Sequence, residues 1–262
     1  MSALILILVG AASGVTTALF GFGGGFVAVP VLVWADAALG GDAPRVAVAT
    51  SSVLVVVAAA VATASTSRAV LAELRGSARL LILLALGGAA GAVAARHVPG
   101  DVIAVGFVAY LLLTIVSVTV RPGFLQAGDD GARPIRPVAG LPIGAVAAFL
   151  GVGGSVVTVP LMRRNGHRMA VATALANPLT LAVALPATAI FLLLSGGRPA
   201  GAGAGFVGAV DVRAAVALLV GSLPVIVLLR RRGPRLSDRA HARWYVGLLV
   251  AVTAAMAATL FR

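Results

Sequence analysis

The chain contains no cysteine, no lysine and only 8 acidic residues among 262. Without cysteine there are no disulfides, thiolate metal sites, iron–sulfur ligation or thiol chemistry. The 20 basic side chains are all arginine, a bias that fits a GC-rich coding sequence and carries no functional reading. Charge of either sign is scarce: 11% of residues are charged and 60% hydrophobic, with a mean hydropathy of +1.09, whereas soluble domains carry about 25% charged residues. A water-soluble fold is excluded. The formal charge of +12 does not point to nucleic acid, because the arginines occupy short segments between apolar runs, where they set membrane topology. His97, His167 and His241 are read as lying in separate loops, with no carboxylate at metal-ligand spacing. They read as ordinary interface residues, and no metal or other cofactor is expected.

What the sequence does have is length without charge. Residues 2–35, 46–67, 80–95, 102–120, 137–162, 169–197, 214–229 and 244–261 are charge-free stretches. Each is near or above the roughly 17–25 residues that span hydrocarbon as a helix, whereas barrel strands need polar alternation. The predicted class is an all-α polytopic membrane protein with no extramembrane domain. The first stretch has no basic segment before it and outruns a signal peptide, so it reads as mature structure.

Self-similarity organises these stretches. The segment 21–30, GFGGGFVAVP, returns at 151–160 as GVGGSVVTVP, identical at six of ten positions. A second match follows each copy: RVAVAT at 45–50 and RMAVAT at 168–173 agree at five of six positions. The chain therefore reads as two tandem halves, 1–125 and 137–262, joined over 126–136. The surrounding segment from Gly123 to Pro137 is rich in Gly, Asp and Pro and looks like a flexible connector.

Arginine placement indicates how the halves are oriented, since cytoplasmic loops are enriched in Lys and Arg. If all eight stretches cross, the arginines divide 11 to 9, which is no bias. If 2–35 and 137–162 are each re-entrant hairpins, three crossings remain per half and the division becomes 15 to 5. Hairpin arms of roughly 13–17 residues reach about 20–25 Å, short of a core of about 30 Å. Three crossings per half also invert the second half relative to the first, as in many secondary transporters. The expectation is six full crossings, two hairpins with glycine tips, and both termini outside.

The glycine clusters are the leading site candidates: Gly23, Gly24 and Gly25, then Gly153 and Gly154 followed by Ser155. Each glycine inside a helix costs about 1 kcal/mol relative to Ala. A broken helix at membrane depth is tolerated where it is buried in protein or lines a cavity. Helices starting after the breaks would aim free N–H groups and positive dipole ends at such a cavity, which attracts anions without a buried charge. The competing reading is close helix packing, the use expected at Gly87, Gly88 and Gly91. A dinucleotide-binding turn fails, because Phe26 and Val156 replace the last glycine of that pattern and no strand precedes either.

Thr50, Ser51 and Ser52 begin the first full crossing on this reading, and Thr173 with Asn177 and Pro178 occupies the matching place. These uncharged donors could hold a desolvated oxyanion, or simply bond to their own helices. Arg45 and Arg168 could gather anions at the mouths or act as interfacial anchors. Asp36, Asp42, Asp101 and Asp211 look loop-bound, so no carboxylate relay is visible inside a crossing. An enzyme is not expected, since no carboxylate pair, histidine cluster or activated nucleophile is present.

The duplicated glycine-to-proline element at 21–30 and 151–160, the Ala47–Ser51 run and the two-half layout resemble the TauE/SafE-type sulfite exporters, the toluenesulfonate-uptake permease family. The likeness covers essentially the whole chain. It implies a bacterial or archaeal inner-membrane permease for sulfite, thiosulfate or organosulfonates, driven by an ion gradient such as that of protons. It places the family signature on Gly23, Gly24, Pro30, Gly153, Gly154 and Pro160. Two alternatives remain beside it: a passive anion channel, and a permease for another small, carboxylate-type anion. Oligomeric state is not legible.

Overall fold

In hydrocarbon an apolar chain must bond its N–H and C=O groups internally, so the runs become helices. A computed structural model describes residues 2–120, 123–125, 133–193, 205–232 and 236–260. The first half holds α1 (Ala3–Phe20), α2 (Gly25–Ala35), α3 (Ala43–Ala64) after a 3-10 segment Ala37–Asp42, the single turn α4 (Arg68–Leu71), α5 (Ala78–His97) and α6 (Gly100–Val120). The second holds α7 (Gly140–Leu150), α8 (Ser155–Arg164), α9 (Met169–Leu193), a two-residue hairpin β1 (Phe206–Val207) and β2 (Val210–Asp211), α10 (Val212–Arg232) and α11 (Asp238–Leu260). The chain is a multi-pass, all-helical membrane protein.

Among the described residues, 7 helices are long and apolar enough to cross a membrane. Six are the expected crossings, and the seventh is α1. Nothing interrupts the chain between Ala3 and Phe20, so the first arm reaches 18 residues, about 27 Å at 1.5 Å per residue. The other arms, α2, α7 and α8, have 11, 11 and 10 residues and stay short. Arms of roughly 13–17 residues were expected; α1 is longer than that and the other three are shorter. Helices also begin before their apolar runs: α3 starts at Ala43 with Pro44 in its first turn, which puts Thr50–Ser52 two turns inside. His97 ends α5 and the buried His241 lies in the first turn of α11, so neither is a loop residue. Asp101 likewise opens α6 rather than occupying a loop. Residues 126–132 of the expected connector lie outside the described residues.

The sequence repeat is also a repeat of packing. α3 and α9 lie against each other and are the most enclosed spans, 67% and 56% buried. α1 packs on α10 and α7 on α5; α10 flanks α3 and α5 flanks α9; α2 lies on α3, α8 on α9, and α6 on α11. Replacing each helix by its counterpart in the other half returns the same set of pairs. The halves interlock, because each lends its opening helix to the other.

Glycine makes two of these pairs possible. A Cβ on Gly14 would lie 2.6 Å from the Ser222 carbonyl oxygen, and one on Gly140 would lie 2.9 Å from that of Leu80. Gly10 and Gly144 approach the Leu218 and Leu84 carbonyls in the same way. Backbones in direct contact gain dispersion energy that lipid does not compete for. At one end of the molecule the fully buried Arg163 pairs with Asp238 and donates from Nε to the Phe124 carbonyl at 2.8 Å. The other Asp238 oxygen accepts the Met169 N–H at 2.8 Å, so one carboxylate ties α8, α9 and α11 together.

Gly24 and Gly154 correspond in the repeat, yet Gly24 has φ 87° and Gly154 has φ −73°. Gly24→Ala should cost about 1–2 kcal/mol for a left-handed residue with a Cβ. A Cβ on Gly154 would meet nothing closer than Val183 Cγ2 at 3.6 Å and its φ is ordinary, so Gly154→Ala should cost distinctly less than Gly24→Ala. Thermal unfolding of both variants in detergent tests this, and equal losses would contradict it.

Candidate functional site

Both glycine segments break their helices by the same backbone device. α1 ends at Gly21 (φ 73°), whose N–H bonds the Thr17 carbonyl at 3.0 Å. α7 ends at Gly151 (φ 69°), and the Val152 N–H returns to the Ala147 carbonyl at 3.1 Å. Gly23 and Gly153 then turn left-handed again, at φ 65° and 71°. The N–H groups of Gly23, Gly24 and Gly25, and those of Gly153, Gly154 and Ser155, make no hydrogen bond among the described residues. All six residues are buried. Each set opens a helix, α2 or α8, so the positive end of that helix adds to the bare donors.

The breaks meet. A Cβ on Gly25 would lie 2.7 Å from the Gly151 carbonyl oxygen, and those on Gly23 and Gly153 would both abut Thr180 of α9 and Val55 of α3. Ser51 secures the junction: its hydroxyl bonds the Val48 carbonyl at 3.0 Å and reaches the Gly151 carbonyl at 3.3 Å. Gly21 is pressed against the Thr173 backbone, and a Cβ on Gly151 would lie 3.0 Å from Val48 Cα. Each break thus leans on the central helix of the other half.

The polar candidates separate by what they already bond. Thr50 accepts the Asp211 N–H at 2.9 Å, tying α3 to the β hairpin. Thr173 bonds its own helix, at the Ala170 carbonyl. Pro178 has no N–H to give the Ala174 carbonyl. The Asn177 amide takes over, donating to Thr173 O at 3.1 Å and Ala174 O at 3.4 Å and leaving its Oδ1 without a partner. The Ser155, Thr158 and Thr180 hydroxyls are buried and have no partner either. These free oxygens cluster on α8 and α9, beside the second break. Arg45 is held by Asp42 and the Val98 carbonyl, both at 2.8 Å, whereas Arg168 is exposed.

Three contributors were not foreseen. Thr180 lies one turn beyond Asn177 on the same face of α9, and Val55 one turn beyond Ser51 on α3. Tyr245 of α11 donates to the Val156 carbonyl at 3.1 Å, which Pro160 leaves unbonded. Its ring also packs edge-on or tilted against Phe20, Phe22 and Phe124, sealing the first break in aromatic surface. The signal for Tyr245 was the second proline itself.

A pocket against the second break is lined by Ser52, Val55, Gly151, Gly153, Val183 and Ala184 among others, but its volume is only about 10 Å³. That is no more than one water requires, so this pocket does not admit an anion in this conformation. At the far end of α2, Asp36 has a buried Oδ2 without a hydrogen-bond partner. Burial and then the charge of Asp211 raise its pKa to about 6. Among the described residues, no three His, Asp or Glu side chains gather as metal ligands.

No curated protein and no solved structure matches the chain. The sequence profile of the family described as "Sulfite exporter TauE/SafE" matches residues 6–260, spanning both breaks, both central helices and nearly the whole chain. With that extent of agreement, the chain belongs to the TauE/SafE sulfite exporter family of membrane transporters.

Proposed function

We infer that the protein is a secondary transporter that carries a small sulfur oxyanion, sulfite or an organosulfonate, across the bacterial or archaeal cell membrane. One observation carries the reading: two buried helix breaks face each other with bare N–H groups, beside the unpartnered hydroxyls of Ser155 and Thr180. In low dielectric an unbonded donor costs about 1–3 kcal/mol, and a hydrogen bond to a charged partner recovers about 1.5–3 kcal/mol. An oxyanion with several acceptor oxygens suits that donor set. Neutral donors also suit a carrier, which must release what it binds. Two oppositely oriented halves, with both termini outside, account for the exchangeable packing and the 15 to 5 arginine bias. The pocket at the second break, too small for an anion, favours a carrier over a passive channel, which needs a continuous path.

The proposed binding set is Gly23, Gly24, Gly25, Gly153, Gly154 and Ser155, with Thr50, Ser51, Thr173 and Asn177 bonded within the fold and supporting the central helices. Proteoliposomes containing the protein should exchange sulfite, thiosulfate or a small sulfonate. No movement of any of them in either direction would refute the reading. Ser155→Ala removes a hydroxyl that bonds nothing in the fold, so Tm should hold while KM rises about tenfold or more. An unchanged KM would exclude Ser155.

Asp36 is the group suited to take a coupling proton. Its native pKa, about 6, lies above the ordinary value of 3.8. Its contribution to stability is therefore present below pH 3.8 and lost as pH rises through about 6. Asp36→Asn should raise Tm at pH 7.5, leave it nearly unchanged at pH 4, and flatten the pH dependence of uptake between 5 and 7. A lower Tm at pH 7.5 would contradict this.

A further inference from the structure

Between the two breaks lies apolar matter. A Cβ on Gly23 would lie 3.0 Å from both Val55 Cγ1 and Thr180 Cγ2, and one on Gly153 would lie 2.8 Å from Thr180 Cγ2 and 3.6 Å from Val55 Cγ1. The second Val55 methyl faces Gly25. Two side chains, one from each central helix, thus place three methyl groups among two sets of bare donors. Val55 also walls the 10 Å³ pocket. Apart from Val183, its neighbours there, among them Ala147, Ala148, Ala184 and Ala187, are all small.

We propose that Val55 and Thr180 form the gate and size filter of this site: their methyl groups occupy the space between the breaks, and an anion enters by displacing them. The proposal rests on the reading of the breaks as the anion site. Threonine in a helix divides between two side-chain rotamers. In the conformation seen, the Thr180 methyl points between Gly23 and Gly153 while its hydroxyl is buried without a partner, 3.6 Å from the Gly153 Cβ position. A turn about χ1 exchanges methyl for hydroxyl, so the same residue blocks the site when empty and donates to the anion when filled. Val55 has no hydroxyl to offer and can only move aside. Its bulk therefore sets how large a substituent on the sulfur is admitted.

Three substitutions separate these roles. Val55→Ala and Thr180→Ser both remove a blocking methyl, and Thr180→Ser keeps the donor. Thr180→Val keeps the shape and loses the donor. Initial uptake of sulfite, methanesulfonate and benzenesulfonate into proteoliposomes should show the benzenesulfonate-to-sulfite ratio rising about tenfold or more in Val55→Ala and in Thr180→Ser. Thr180→Val should lower sulfite uptake about tenfold at an unchanged Tm. A wild-type ratio in both enlarged variants would overturn the gate while leaving sulfite transport standing.

A second measurement does not depend on transport. Because the chain has no cysteine, Ala184→Cys introduces a unique thiol into the pocket. A negatively charged, membrane-impermeant thiosulfonate reagent should modify it about tenfold faster when Val55→Ala or Thr180→Ser is added. Equal rates would overturn the gate. Wild-type vesicles that move no anion, with labelling accelerated as expected, would refute the anion reading and leave the gate in place.

Discussion

The structure depends on one constraint: a backbone N–H in hydrocarbon needs a partner, and at two places this chain withholds it. Each break strips hydrogen bonds from a run of residues that lipid cannot satisfy. Every larger feature follows from enclosing those runs. α3 and α9 occupy the middle because the breaks must lie against protein. α1 lies on α10 and α7 on α5 through glycine contacts so close that backbone meets backbone, keeping lipid out. The prolines that follow each break repeat the problem one turn on, and at Pro160 the Tyr245 hydroxyl answers it.

The halves share a backbone and divide the chemistry. The first break is walled by Phe20, Phe22 and Phe26, with Phe22 and Phe26 stacked at 4.5 Å between ring centres. The second has Val152 and Val156 at the matching positions and supplies Ser155, with Thr158, Asn177 and Thr180 close by. Tyr245 and Phe107 are each the eighth residue of α11 and α6, and only the tyrosine has a hydroxyl to give. One half therefore provides a dry wall and the other the polar face. On the proposed reading, the bare donors come from both breaks and the unpartnered hydroxyls from the second.

Much of this was legible in the sequence because it rests on composition or on position within a segment. Missing charge fixed the spans, and repeated glycines fixed the breaks. The Asn177-Pro178 pair announced a freed carbonyl, which the asparagine fills. The pairing of Gly10 with Gly14 and of Gly140 with Gly144, each eleven residues before its break, was equally visible and passed unread. What could not be read is contact across the halves. Ser51 reaches Gly151 a hundred residues away, and Val55 is an ordinary apolar residue until Gly23 and Gly153 are placed around it. Thr50 and Thr173 match in sequence but differ in role, because Asp211, which bonds Thr50, belongs to a hairpin that no pattern announced.

The two ends of the molecule are secured with different strength. At one, the buried Arg163 is held by Asp238, by the Phe124 carbonyl and by the His167 carbonyl at 3.3 Å. Removing one partner of such a pair strands a buried charge, at a cost of about 3–5 kcal/mol. At the other end, Asp36 faces a second carboxylate without a hydrogen bond to its buried oxygen. Among the described residues, a 3-10 segment, a hairpin of two-residue strands and the α5–α6 turn lie at that end over the mouth of α3. Local opening follows the lowest free energy available. The end where Asp36 and Asp211 repel is therefore less firmly held than the end secured by the Arg163 network.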